Sequence, residues 1–204
     1  MKHFVEPFRV MLRPFYRFGE LKQEKSFRLS VAWVMAILGL ATYFARMIYA
    51  GPGFTTFNPR QFHLLREATS VCLPFLLLVV CNWAVAAIMD GEATMRETFC
   101  AVCYALGPYI IMTLLGLLFT HILVTDEMYL ITFVDTLGSA WTGFLLFVGL
   151  LTVQQYTPKK TLGTLLLTVV MMILAVFALI LFASVADKMI SYIGGIINEI
   201  KLRV

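Results

Sequence analysis

The sequence predicts an all-α integral membrane protein: a five-transmembrane-helix bundle with amphipathic interfacial helices at its N- and C-termini. Three observations carry this expectation. Of 204 residues 60% are hydrophobic and 14% charged, against about 45–50% and about 25% in a soluble domain. The apolar residues gather into five long runs, and the basic residues concentrate ahead of the first. A chain of this size has too little surface to display such an excess to water, so a soluble globular domain is excluded. Disorder is excluded too, because it needs low hydrophobicity and high net charge. Dispersed Phe, Leu, Ile and Met exclude low-complexity and repeat architectures. The net charge of +4 is small and N-terminal. That suits topology setting, not nucleic-acid binding, which wants a basic face with stacking aromatics in water.

A helix crosses the hydrocarbon core with about 20 largely apolar residues. The runs are Leu29–Ala45, Ala68–Met89, Thr98–Thr125 (interrupted by His121), Thr136–Pro158 and Thr161–Ala186. They set spans of about 29–49, 69–89, 98–124, 136–156 and 162–186. Arg46 ends the first run and is expected to snorkel, with Tyr43 and Tyr49 at an interface. A barrel would show alternating segments of about ten residues, whereas these runs are continuously apolar. Thr94 and Glu97 form a capping box before the third span, and Asp90-Gly91 a turn after the second. Pro74 and Pro108 fall inside spans, which neighbouring helices tolerate in a membrane.

Lys2, Arg9, Arg13, Arg17, Lys22, Lys25 and Arg28 precede the first span, and Lys159 and Lys160 separate spans four and five. The link between spans three and four carries Asp126, Glu127 and Asp135 and no basic residue. The positive-inside rule puts the N-terminus in the cytoplasm and the C-terminus outside. The chain divides into a cytosolic amphipathic basic tail, 1–28, and a five-span domain, 29–204. No cleavable signal peptide is expected, so the first span serves as an anchor.

In the tail, Phe8, Met11, Phe15 and Phe18 follow helical spacing, while Arg9, Arg13 and Arg17 recur every fourth residue on another face. This is the pattern of a helix in the interface plane, started or bent by Pro7 and Pro14. It reads either as a topology anchor or as a docking surface for a cytosolic or lipid partner. Ile190, Ile193, Ile196, Ile197 and Ile200 make a second stripe, loosened by Gly194-Gly195.

Six segments, in order along the chain, carry a resemblance: RPFYRFGELKQEKSFRL (Arg13–Leu29), FNP (Phe57–Pro59), NW (Asn82-Trp83), MDGEAT (Met89–Thr94), YALGP (Tyr104–Pro108) and QQYTPKKT (Gln154–Thr161). With the five spans they make the chain resemble the Yip1 family of membrane proteins, in its bacterial branch. The resemblance implies a cytosolic N-terminus and an extracytosolic C-terminus. Eukaryotic relatives bind small GTPases and coat components and carry longer N-terminal regions. Bacterial ones are often encoded beside carbohydrate ABC importers. The short tail points to the bacterial plasma membrane, and ABC transporter subunits become the expected partners beside the lipid bilayer. A family supplies a fold and a neighbourhood, not a chemical activity.

Polar groups in spans are costly, so their placement is the best guide to a site. Asn82, Ala86 and Asp90 share one helical face, and Asn82 lies roughly 12 Å above the end of its span. Tyr104 near the start of span three and Gln154 and Gln155 at the end of span four reach similar depth. The expectation is a polar cluster of Asn82, Tyr104, Gln154, Gln155 and Asp90, serving as interhelical glue or as a vestibule. Arg9, Arg13, Arg17, Glu92, Arg96, Lys159 and Lys160 form the expected docking surface below it. At the other end, His121, Asp126, Glu127 and Asp135 read as solvated loop charges. The pairs Ala32/Ala36, Ala41/Ala45 and Ser139/Gly143 have spacing that permits close helix packing.

Catalytic chemistry is not legible. Cys100 and Cys103 form a C-x-x-C inside a span, where buried apolar thiols are expected. Cys72 belongs near the opposite side from Cys100, and the scattered His3, His63 and His121 make no zinc set. No phosphate loop, serine elbow or H-E-x-x-H is present. The expectation is a non-enzymatic scaffold without cofactor or metal, accessory to a membrane complex such as a carbohydrate ABC transporter. The alternative is a small transport or lipid-handling protein that uses the inner polar cluster.

Overall fold

The computed structural model describes residues 6–24, 26–51, 63–123 and 127–203, with side chains from 7 to 193. The FNP segment and Asp126 lie outside the described residues, as do the side chains of Ile196, Ile197 and Ile200. Among the described residues eight helices follow in order: α1 (Glu6–Leu12), α2 (Pro14–Gln23), α3 (Leu29–Tyr49), α4 (Leu64–Ile88), α5 (Met95–Ala105), α6 (Gly107–Ile122), α7 (Met128–Gln154) and α8 (Pro158–Arg203). Five stretches are long and apolar enough to cross a membrane: α3, α4, α5 with α6, α7, and α8 to Ile193. The protein is an all-α membrane bundle.

The two prolines inside spans act differently. Pro74 sits within an unbroken α4. Pro108 divides the third span, because it has no N–H for the Tyr104 carbonyl. The chain tightens there, with Leu106 N–H bonded to Cys103 O at 3.2 Å, before α6 begins. The capping box forms at the start of α5: Glu97 N–H donates to Thr94 Oγ1 at 3.3 Å and Thr94 N–H to Glu97 Oε2 at 2.9 Å.

The tail is part of the packed core. Val10 and Phe18 are buried completely, in one apolar cluster with Val31, Ala101, Tyr104 and Val148. α2 lies lengthwise along α7: Phe15 meets Phe144 with ring centroids 6.4 Å apart, and Phe18 packs on Gly149. A Cβ at Gly149 would stand 3.0 Å from the Phe18 ring, so glycine here lets that ring pack closely on α7. The stripe expected over Phe8, Met11, Phe15 and Phe18 is split at Arg13-Pro14. Phe18 is therefore buried, while Phe8 and Phe15 stay exposed. Close helix approach falls at Gly138, Gly149 and Gly116; at Gly143 an added Cβ would meet nothing within 4 Å.

α8 is one helix of 46 residues. At about 1.5 Å per residue it exceeds the roughly 30 Å hydrocarbon core twofold. The C-terminal amphipathic stretch continues this helix instead of forming a separate one. α8 meets α4 and α7 through a threonine row, Thr161, Thr164 and Thr168, all buried. From Val169 to Ile193 most of its large apolar side chains are exposed.

Candidate functional site

The polar residues gather at the end of the bundle that carries Gln23, the α4–α5 loop and the α7–α8 link, here the tail end. Asn82 projects from α4 between α7 and α8, wholly buried. Its Oδ1 accepts a hydrogen bond from Gln154 Nε2 at 2.6 Å, and its Nδ2 donates to Thr168 Oγ1 at 3.1 Å. The Thr168 hydroxyl passes its own hydrogen to the Thr164 carbonyl at 2.7 Å. Gln154 Oε1 is buried without a partner among the described residues. Asn82 and Gln154 are thus brought together, with span five supplying the third member.

Tyr104 does not join this junction. It faces α3, where its hydroxyl donates to the Arg28 carbonyl at 3.4 Å and its ring packs on Phe27. Thr168 is the member that sequence reasoning missed. A threonine that bonds its own helix looks apolar from outside, so it passes unnoticed within a hydrophobic run. The signal was the row Thr157, Thr161, Thr164 and Thr168, at spacings of three and four that keep them on one face.

The motif around Asp90 and the motif around Gln155 interlock below the junction. Both α4 and α7 end in a Schellman closure: Gly91 N–H reaches Ala86 O at 2.8 Å, and Tyr156 N–H reaches Leu151 O at 3.0 Å. Asp90 at φ 54° and Gln155 at φ 58° take the left-handed position that usually falls to glycine. Tyr156 Oη lies 3.2 Å from Ala86 O, which already accepts from Gly91 N–H, and 3.1 Å from Met89 O, so it covers the carbonyl that the end of α4 leaves open. Burial, with the Asp90 charge second, holds the Tyr156 phenol above its ordinary pKa. Lys160 stands 4.4 Å over the same ring.

The tail closes the other side. Lys22 Nζ donates to Glu92 O and to Glu97 Oε2, each at 3.0 Å. Arg96 Nη2 donates to Phe27 O at 3.3 Å, and Arg17 pairs with Glu20 at 2.7 Å. The side chains of Arg9, Arg13, Glu92, Arg96, Asp90, Gln155 and Lys159 lie on the exposed surface. The junction itself offers amides and hydroxyls only. It can hold helices together, but it has no group suited to nucleophilic attack or to proton transfer near neutral pH. Cys81, Cys100 and Cys103 are buried free thiols, and no metal-binding group of three occurs among the described residues.

A second polar cross-link stands at the far end. α7 starts at Met128, so Asp135 lies about two turns inside a helix and is not a loop charge. Arg46 of α3 grips it with two hydrogen bonds, of 3.2 and 2.5 Å. Gly116 of α6 leaves room for the pair: a Cβ there would stand 2.5 Å from Arg46 Nη1. Arg46 therefore bridges spans one and four, where the sequence suggested snorkelling to the interface.

The Yip1 domain matches residues 8–180, from α1 into α8. No curated protein and no solved structure matches the chain. The chain belongs to the Yip1 family of membrane proteins.

Proposed function

We propose that the protein is a non-enzymatic membrane scaffold whose tail end docks a partner membrane protein. In this reading it belongs to the bacterial plasma membrane, with its N-terminus in the cytoplasm and its C-terminus outside, as the basic tail favours. It acts as an accessory subunit of a transporter, with a carbohydrate ABC importer as the specific expectation. One observation supports this above others. The tail, the α4–α5 loop and the α7–α8 link are tied to one another through Lys22, Glu92, Glu97 and Tyr156. A face tied in this way presents Arg13, Glu92, Arg96 and Lys159 on a fixed backbone, which lowers the ordering cost on binding.

Affinity capture of the full chain in mild detergent should recover a stoichiometric membrane partner. Reversing the charges of Arg13, Glu92, Arg96 and Lys159 together should lower that recovery, and a deletion strain should lose transporter abundance or uptake. Unchanged uptake and abundance on deletion would overturn the transporter assignment. Full recovery by the charge-reversed face would overturn the docking face.

The unpartnered Gln154 Oε1 favours a second reading, a polar path through the bundle. Such a path must continue beyond Asn82. Val79, Leu145, Val148 and Leu150 are buried on that side, so the apolar core closes the way. Vesicles reconstituted with the protein should therefore show no ion or sugar flux.

A further inference from the structure

α3 packs on α5 and α6, and α4 on α8 and α5, so these two consecutive spans leave a cleft between them. Its volume is about 500 Å³. Trp33 and Ile37 form one wall, Cys72 and Phe75 the other, with Phe99 and Tyr109 between them. From Trp33 to Tyr43 the cleft follows ten residues of α3, about 15 Å, which is one leaflet's share of the hydrocarbon core. Its lining is mostly apolar, with Ser139 and Thr142 as its hydroxyls from α7, and its walls belong to the membrane-crossing parts of α3, α4, α5–α6 and α7. The medium available to fill it is lipid chain.

Two arginines lie just beyond the tail-end lining of the cleft along the chain. Trp33 and Phe99 close that end with ring centroids 5.2 Å apart. Arg96 lies three residues below Phe99 on the same helix face, and Arg28 five residues below Trp33. The bond from Arg96 to the Phe27 carbonyl sets the Arg96 side chain against the backbone next to Arg28. Both are exposed, and neither is in an ion pair among the described residues. The nearby Glu97 is already held by Lys22 and Thr94. Apolar length with two guanidinium groups at one end that no described carboxylate pairs fits a phosphate ester on an acyl chain.

We propose that the α3–α4 cleft binds one acyl chain of an anionic glycerophospholipid, with its phosphate on Arg28 and Arg96. The site is separate from the Asn82 junction and does not depend on the scaffold reading. Trp33 is its natural reporter. With Trp83→Phe and Trp141→Phe in place, the full chain is reconstituted in phosphatidylcholine vesicles. A minor fraction of acyl-brominated phosphatidylglycerol, or of acyl-brominated phosphatidylcholine, is then added. Trp33 fluorescence should be quenched several-fold more by the brominated phosphatidylglycerol. Arg28→Gln with Arg96→Gln should abolish the preference, and Ala36→Phe, which fills the cleft, should do the same. Equal quenching by the two lipids in the unsubstituted cleft overturns the proposal, and so does a preference that survives Ala36→Phe. Cys72 gives an independent readout that needs no substitution. Phosphatidylglycerol should slow its alkylation by a membrane-permeant maleimide relative to phosphatidylcholine, and equal rates overturn the site.

Discussion

The two polar cross-links that tie the spans stand at opposite ends of the bundle and use opposite chemistry. The Asn82–Gln154–Thr168 junction is neutral and sealed, with its members 0–1% exposed. The Arg46–Asp135 pair is charged, and its side chains remain 25% and 35% exposed. An amide recovers most of its desolvation cost through two good hydrogen bonds, so it can be closed off completely. An ion pair does not recover that cost as fully, so it survives best where water or headgroups still reach it. Polar groups between helices are thus paired in two ways, set by whether the partners carry charge, and Gln154 Oε1 is the junction atom left without a partner among the described residues.

The largest test of this contrast is Asn82→Asp. It puts a carboxylate where no cation faces it and removes the donor to Thr168. An uncompensated buried charge costs about 3–5 kcal/mol, less if the group takes up a proton instead. The loss should be read by SDS unfolding in mixed micelles, and it should shrink as pH falls. A loss no greater than that of Arg46→Leu would show the junction to be wet and dissolve the contrast.

Arg46→Leu comes next. It strands Asp135, but the partial exposure of that carboxylate discounts the buried-pair figure to about 1–2 kcal/mol. Adding Asp135→Leu should restore much of the stability, because the stranded charge is then gone. Failure of the double variant to recover would mean that the pair positions α3 and α7 in a way that packing cannot replace.

Asn82→Leu should cost about 1 kcal/mol, since apolar packing replaces part of what is lost while Gln154 keeps an unpaired amide. Asn82→Leu with Gln154→Leu should cost no more than the single change. A larger loss in the double variant would mean that Gln154 has a partner of its own, most simply through the oxygen left open in the junction.

How far the sequence discloses these two cross-links follows from their chemistry. Asn82 is visible because an amide stands out in a run of Leu, Val and Ala, and i, i+4 spacing gives its face. Gln154 follows from similar depth. Tyr104 also has that depth, but depth does not fix azimuth: its side of α5 turns toward Phe27 and Arg28. Arg46 and Asp135 were hidden by the criterion that found the spans. A charge-free run stops at the first charge, so a charge neutralised by another span reads as a boundary, and the start of α7 moves from Met128 to Thr136. The burial of the tail is unreadable for a related reason. The close seat at Gly149 that receives Phe18 is a tertiary fact with no periodic trace.

The smallest expected effect belongs to the tail end and is a gain. Gln155 holds φ 58° in the closure that ends α7. A residue with a Cβ pays about 1–2 kcal/mol in that region, and glycine does not. Glycine loses part of the benefit through its freer unfolded chain, so Gln155→Gly should stabilise by about 0.5–1 kcal/mol. The backbone bond from Tyr156 N–H to Leu151 O needs no side chain at 155, so Tyr156 should stay on the α4 carbonyls. The exposed Gln155 side chain then has either no task or an external one. Raised stability with unchanged partner recovery would make it a tolerated cap residue. Raised stability with lost recovery would make the strained glutamine a contact held outward for the partner, and it would add a fifth position to the docking face beside Arg13, Glu92, Arg96 and Lys159.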